Sequence, residues 1–326
     1  MSLTCILVIG ANGQIGTELI EALAQRHGAQ AVISSDIAAQ ARPETVQLGV
    51  RHVALDATDA HALQAVVERF TVTHIYLLAA ALSARAEQHP AWAWDLNMKS
   101  LLNVLELARS HHLRVFWPSS IAAFGPSSPK VMTPQTTAMD PTSVYGISKL
   151  AGEGWCAWYH RNHGVDVRSL RYPGLVSWKT APGGGTTDYA VEIFHAALQS
   201  GRYTSFLAAD TALPMMYMPD AIRATLELME APPQRIRQRG AYNVAGMSFT
   251  PAQIGQAIAH LVPGFTVDYA PDFRQPIAAS WPQSIDDSAA QADWGWRARF
   301  GLDAMVQDML AHLGPLLAPT PLRLAA

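Results

Sequence analysis

The chain has 326 residues, 15% of them charged and 49% hydrophobic, with a formal net charge of −3 and no long run of one sign. That balance argues against a disordered chain and offers no electrostatic footprint for nucleic acid. No stretch approaches the roughly 20 uninterrupted apolar residues that span a bilayer, and Met1-Ser2-Leu3-Thr4-Cys5 lacks the basic opening of a secretory signal.

Residues 4–172 alternate short apolar runs with helical patterns, the signature of βαβ units around a parallel sheet. Strands are expected at Ile6–Ile9, Ala31–Ser35, Arg51–Leu55, His74–Ala79, Val115–Pro118 and Val167–Leu170. Each is short and apolar, as strands covered on both faces should be. Apolar helices are expected around Trp92–Ala108 and Val144–Trp158. After Pro173 the texture changes: Pro182-Gly183-Gly184-Gly185 reads as a flexible loop, and Ala270–Pro282 and Leu313–Pro321 read as irregular. Cys5 falls in an expected strand and Cys156 in an expected helix, so two free thiols in a reducing cytoplasm are expected rather than a disulfide.

Gly10-Ala11-Asn12-Gly13-Gln14-Ile15-Gly16 directly follows the first strand and opens a helix. Gly10 allows the tight turn, Gly13 lets backbone approach a pyrophosphate, and Gly16 permits close helix–strand packing. The helix start then offers unpaired N–H groups to the phosphates. Asp36 ends the second strand, where a carboxylate accepts bonds from the adenosine ribose hydroxyls and repels a 2′-phosphate, favouring NAD over NADP. Arg42 can serve a phosphate but lies farther along an expected loop. Asp56 ends the third strand, either reaching the adenine or capping the next helix. The fold class expected is therefore α/β: a Rossmann-type doubly wound parallel sheet over residues 1–173, with a smaller C-terminal substrate-binding lobe over 174–326. A segment near 212–245, Tyr242–Ala245 above all, is the candidate to return to the sheet.

Tyr145-Gly146-Ile147-Ser148-Lys149 places a phenol and an ammonium four apart on one helix face. A free phenol has a pKa of about 10 and is a poor base at neutral pH. A nearby lysine and a cationic nicotinamide both favour the phenolate. Upstream, Val115-Phe116-Trp117-Pro118-Ser119-Ser120 is a strand ending in two hydroxyls, one of which can hold the substrate oxygen with Tyr145. The histidines are scattered without H-E-x-x-H, so no metal is expected.

Taken together, these segments resemble the extended short-chain dehydrogenases over nearly the whole chain, a group that includes the nucleotide-sugar epimerases and dehydratases. Within that group, Arg171-Tyr172-Pro173-Gly174 has glycine where the sugar epimerases carry a diphosphate-contacting asparagine. Leu213-Pro214-Met215-Met216-Tyr217-Met218-Pro219-Asp220 likewise has leucine where they carry arginine. Losing that guanidinium removes the bidentate partner of a phosphate and disfavours a nucleotide sugar. Pro182-Gly183-Gly184-Gly185-Thr186-Thr187-Asp188-Tyr189-Ala190, Leu213-Pro214-Met215-Met216-Tyr217, Ser280-Trp281-Pro282 and Asp293-Trp294-Gly295-Trp296 are instead similar to the short-chain L-threonine 3-dehydrogenase family.

The resemblance implies NAD-dependent oxidation of the C3 hydroxyl of L-threonine to 2-amino-3-oxobutanoate, with a nucleotide-sugar epimerase or dehydratase as the alternative. It implies Tyr145 as base, with Lys149, Ser120 or Ser119, and Asn97 relaying protons through a backbone-bound water. Cofactor contacts are then expected from Gly10, Asn12, Gly13, Gln14, Ile15, Gly16, Asp36, Asp56, Ala57, Leu78, Ala79, Ala80, Asn97, Tyr145, Lys149, Tyr172 and Leu175. Substrate contacts are expected from Ser83, Ser120, Tyr145, Gly185, Thr186, Thr187 and Trp281, with Gly183–Gly185 as the hinge of a closing lid. It also implies a homodimer built by the helices around Trp92–Ala108 and Val144–Trp158 as a four-helix bundle, although those faces can equally pack inside one subunit.

Overall fold

The computed structural model describes residues 4–317 apart from Pro182 and Gly184. The first half runs β1 (Ile6–Ile9), α1 (Gln14–His27), β2 (Val32–Asp36), α2 (Pro43–Gln47), β3 (Arg51–Ala54), α3 (Ala60–Phe70), β4 (His74–Leu77), α4 (Ser83–Gln88), α5 (Pro90–His111), β5 (Arg114–Phe116) and β6 (Ser119–Ser120). It continues with α6 (Val144–His163), β7 (Asp166–Arg168), β8 (Leu170–Tyr172) and β9 (Gly174–Val176). The second half holds α7 (Tyr189–Gln199), β10 (Arg202–Ser205), β11 (Leu213–Tyr217), α8 (Met218–Glu230), β12 (Tyr242–Asn243) and β13 (Met247–Phe249). It closes with α9 (Pro251–Leu261), β14 (Thr266–Tyr269), α10 (Arg274–Ser280), α11 (Ser288–Trp294) and α12 (Leu302–Leu317).

Six of these strands form a parallel sheet in the order β3-β2-β1-β4-β5-β7. The order reverses between β1 and β4, and a crevice opens beyond the strand ends at such a switch point. Side chains alternate across each strand, so β1 feeds two cores. Leu7 and Ile9 pack with α3, α5 and α6 through Leu63, Leu101, Val104 and Cys156. Ile6 and Val8 pack on the other face with Leu19, Ile20 and Leu23 of α1.

That second face also collects Met218, Ala221 and Leu228 of α8, Tyr242 of β12, and Trp294 beyond them. Segment 212–245 does not pair with the main sheet as expected: β12 pairs in parallel with β8 and β8 with β6 in a separate three-stranded sheet, and β11 pairs with β9 and β13, so only the side chains of this segment reach that face's core. α11 joins the same core, which the sequence did not lead us to expect. The remaining lobe packs α7, α9 and α12 over β9, β11 and β13, with Phe194, Met215, Phe249, Ile254 and Met309 buried together.

Two further expectations need correction. Ala270–Pro282 is not wholly irregular, since α10 occupies its second half, and Leu313–Leu317 continues α12 with Pro315 inside the helix. Helical propensity is weak in both stretches, and tertiary packing of Ala278 and Leu313 decides them. Cys5 lies just before β1 and is half-buried; it and the buried Cys156 are both free thiols.

Candidate functional site

The turn after β1 is fixed by its glycines. Gly10 has φ +84°, and a Cβ there would stand 2.6 Å from the Ala79 backbone nitrogen. A Cβ on Gly16 would stand 2.5 Å from the Gly10 carbonyl oxygen. Only glycine lets β1, β4 and α1 approach this closely. Gly13 is the N-cap of α1 and supplies no side-chain cap. The first-turn N–H groups thus stay open where Gly13, Gln14, Ile15 and Gly16 line a cleft of about 270 Å³.

A second cavity of about 870 Å³ adjoins the first, sharing Gly10, Gly13, Leu78 and Ala80, and carries Asp36, Asp56, Ala57 and Ala79 on its walls. The Asp36 carboxylate accepts the Asn12 N–H at 3.1 Å and the Ala38 N–H at 3.2 Å, which holds it at the rim. Asn12 itself shapes the loop: its side chain donates to the Gln40 carbonyl at 2.9 Å and accepts the Arg42 N–H at 3.2 Å. Arg42 is closer than its place in the sequence suggests, because Nε donates to the Asn12 carbonyl at 2.7 Å. Asp56 accepts both the N–H and the hydroxyl of Thr58, each at 2.8 Å, which lowers its carboxyl below the ordinary range. It does not cap a helix; Asp59 caps α3, accepting the Ala62 N–H at 3.0 Å.

A glycine cradle that any Cβ would fill, an uncapped helix start and a carboxylate at the far rim fit a dinucleotide. Replacing Asp36 by alanine is expected to reduce the preference for NAD over NADP by about tenfold or more, read from the two kcat/KM values. An unchanged ratio would remove Asp36 from cofactor choice.

At the centre of the cleft, Tyr145 and Lys149 lie on the first turns of α6, which Ser143 caps by accepting the Gly146 N–H at 3.0 Å. Ser120 hydrogen-bonds Tyr145, which lowers the phenol's pKa, but burial dominates and pushes it up to about 12. The lysine ammonium faces the phenol ring. Its Nζ donates to the Pro118 carbonyl at 2.5 Å and stands 5.3 Å from the Tyr145 ring centroid. Burial brings Lys149 down to about 7, against the opposing pull of Cys156 and Glu153.

Of the two expected hydroxyls, only Ser120 serves Tyr145. Ser119 donates to Glu153 Oε1 at 2.5 Å, because a buried carboxylate claims the nearest donor. Asn97 is buried in α5, its side chain accepting the Ala81 N–H at 2.8 Å and donating to Ser148 at 3.0 Å. Those bonds tie the floor of the cleft to α6. Tyr172 lines the cleft with its ring alone, since its hydroxyl is bonded to Thr225 behind it.

The far end is built from small hydroxyls and an indole. Ser83 and Thr186, both buried, stand 3.4 Å apart across the cleft, and Leu175, Gly185, Thr187 and Trp281 complete the wall. The Gly185 N–H donates to Asp188 at 2.7 Å. Gly183 and Gly185 belong to the described residues, whereas Gly184 of the expected hinge lies outside them. Gly174 has a steric cause: a Cβ there would stand 2.4 Å from Met215 Sδ and 2.7 Å from Thr187 Cγ2.

Two supports escaped the sequence reading. Glu153 continues the Tyr145–Lys149 face by another turn and accepts two bonds from Arg171, at 2.9 and 2.7 Å; the helical spacing signalled it. Lys130 donates to the Ser280 carbonyl at 2.5 Å and the Trp281 carbonyl at 3.3 Å, fixing the indole's segment, and no spacing signals that. Among the described residues, no group of three or more His, Cys, Asp or Glu side chains is placed to hold a metal ion.

The model of the NAD dependent epimerase/dehydratase family matches residues 6–245. An L-threonine dehydrogenase of Cupriavidus necator in its holo form is 65% identical, with 95% of this chain and 99% of that one covered at a TM-score of 0.92. A monomeric L-threonine 3-dehydrogenase from a metagenome, in its apo form, is 44% identical, covering 96% and 99% at a TM-score of 0.92. An uncharacterized epimerase/dehydratase of Staphylococcus saprophyticus is 47% identical over 306 residues, which is 94% of this chain and 95% of the relative.

Proposed function

We propose that this chain, which belongs to the NAD dependent epimerase/dehydratase family, oxidises the C3 hydroxyl of L-threonine to 2-amino-3-oxobutanoate. The carrying observation is the chemistry of the cleft's far end. Ser83, Thr186 and Trp281 line it, and Lys149 at the centre is the one cation among its described lining residues. Away from the open helix start that suits the cofactor's diphosphate, the described lining offers no guanidinium for a second diphosphate, whereas a small zwitterion can be held by hydroxyls and backbone N–H groups. The solved relatives named for threonine oxidation support the same substrate.

Gly10, Gly13, Gly16 and Asp36 would hold the dinucleotide, and NAD, when bound, supplies the acceptor for the C3 hydride. Ser120 and Tyr145 hold the C3 hydroxyl between them, and Tyr145 Oη takes its proton. Lys149, anchored on the Pro118 carbonyl, supplies positive charge beside the phenol when protonated. Ser83 and Thr186 receive the amino and carboxylate groups, and Trp281 closes the pocket against water.

The decisive assay is NADH formation, followed by absorbance, with L-threonine, L-serine and UDP-galactose compared side by side. Turnover of threonine above the other two is expected; reaction with UDP-galactose alone would replace this reading by the sugar epimerase. Free thiols at Cys5 and Cys156 suit the reducing cytoplasm we assign to it.

The homodimer also belongs to this proposal. α5 and α6 pack on each other within the subunit, and Trp94, Trp155 and Trp158 remain about two-fifths exposed on these helices. Exposed indoles in such numbers mark an interaction surface. Sedimentation equilibrium is expected to give twice the chain mass; a single-chain mass would place this protein with the relative described as monomeric.

A further inference from the structure

A buried acid outside the cleft has no part in the chemistry above. Glu18 sits on α1, 8% exposed, and does not line the cleft. Ser177, 1% exposed, donates its hydroxyl to Glu18 and accepts the Lys179 N–H at 3.1 Å. The Lys179 ammonium pairs with Glu21 of the same helix. Between them, the Trp178 ring stacks on His312 of α12, with centroids 4.2 Å apart and planes 11° from parallel. Three successive side chains therefore fasten one stretch of chain to α1 and α12. A buried carboxylate is costly unless bonded, so the Glu18 bond is not an idle surface contact.

The position of that stretch gives the contacts meaning. Just before it, Gly174 and Leu175 line the cleft, and just after it Gly185, Thr186 and Thr187 line the cleft again. The helix to which it is fastened is the one whose open first turn faces the cofactor end. We infer that Glu18, through Ser177, is a positioning residue that moors the Ser177–Lys179 stretch to α1 and so sets where the cleft-lining Leu175 before it and Thr186 after it meet the substrate. This rests on the threonine reading for its substrate, and on the segment's own bonds for its mechanics. The mooring serves ground state and transition state alike, so its loss raises KM and leaves kcat nearly intact.

The test uses the full chain. In Ser177→Ala and in Glu18→Ala, the KM for threonine is expected to rise about tenfold with kcat within about threefold. NADH affinity, read by fluorescence without threonine, stays within about twofold because the first turn of α1 is untouched. The double variant is no worse than either single one, since both remove the same bond. Glu18→Gln restores most of the KM because its amide oxygen still accepts from Ser177. Tryptic cleavage after Lys179 is expected to run about threefold faster or more in Ser177→Ala, following the population of the released segment.

An unchanged KM in Ser177→Ala overturns the inference, as do additive effects in the double variant or NADH affinity falling in step with the KM. If the unaltered chain does not oxidise threonine, the substrate reading fails. The cleavage rate then still decides the mooring, which an unchanged rate refutes. Should Glu18→Ala fail to fold, Ser177→Ala alone carries the decision.

Discussion

Tyr145→Phe is expected to lower kcat by roughly a thousandfold while leaving NADH affinity near that of the unaltered chain. The ring stays, so the packing of Tyr145 against its neighbours survives. What is lost is the phenolic oxygen that Ser120 holds at the cleft's centre. Burial holds that phenol protonated at neutral pH, with a pKa of about 12 before ligands bind. The base form therefore grows as pH rises, and kcat/KM is expected to climb from neutral into alkaline solution until cationic neighbours have brought the phenolate to saturation. Lys149, near 7, gives up its proton across the same range, so its charge fades as the phenolate forms. The two opposing trends flatten the rise below the tenfold per pH unit that a single isolated base would give. A near-normal rate in Tyr145→Phe, or a profile that falls between pH 7 and 9, would take the phenol out of the mechanism.

How much of this was legible in the sequence depends on whether the signal was local. The Gly10–Gly16 turn was fully legible, because backbone approach distances leave glycine as the only choice. The six strands were legible in place, with ends shifted by one or two residues: Val115–Pro118 breaks at Trp117, where the chain leaves the main sheet for β6. The identity of the serving hydroxyl was not legible. Ser119 and Ser120 are chemically equal in sequence, and only Glu153, 34 residues away, claims one of them. Arg42 was misplaced for the same reason, since its contact with Asn12 spans 30 residues of chain. Gly174 was read as a departure from the epimerase pattern, but its cause, the Met215 sulfur and the Thr187 methyl, needed the packed lobe. α11 joining the nucleotide core was invisible because Ser288–Trp294 is too short for a clear helical stripe.

Arg171→Met is expected to cost about 3–5 kcal/mol of stability, a large share of the roughly 5–15 kcal/mol that folded domains possess. Both partners of the pair are buried, with side chains 8% and 6% exposed, so solvent does not screen it. Arg171 also donates to the Gln135 carbonyl at 2.9 Å and to the Asn243 side chain at 3.0 Å, joining β8 to β12 and to the loop before α6. Removing the guanidinium strands the Glu153 carboxylate and leaves two acceptors unpaired. The melting temperature should fall by roughly 10 °C. Glu153→Gln placed on top of Arg171→Met is expected to recover more than half of that loss, because the stranded charge is gone while the Ser119 bond can still form. The same double variant reaches the chemistry. Glu153 is one of the groups that hold Lys149's pKa up against burial, so its neutralisation lets that pKa fall below about 7. Lys149 is then uncharged at neutral pH, and the alkaline climb of kcat/KM should begin at a higher pH than in the parent. Calorimetry and a pH–rate profile check the two halves separately. A single variant as stable as the parent would show that the pair contributes nothing, and an unmoved profile in the double variant would show that Glu153's charge does not reach Lys149.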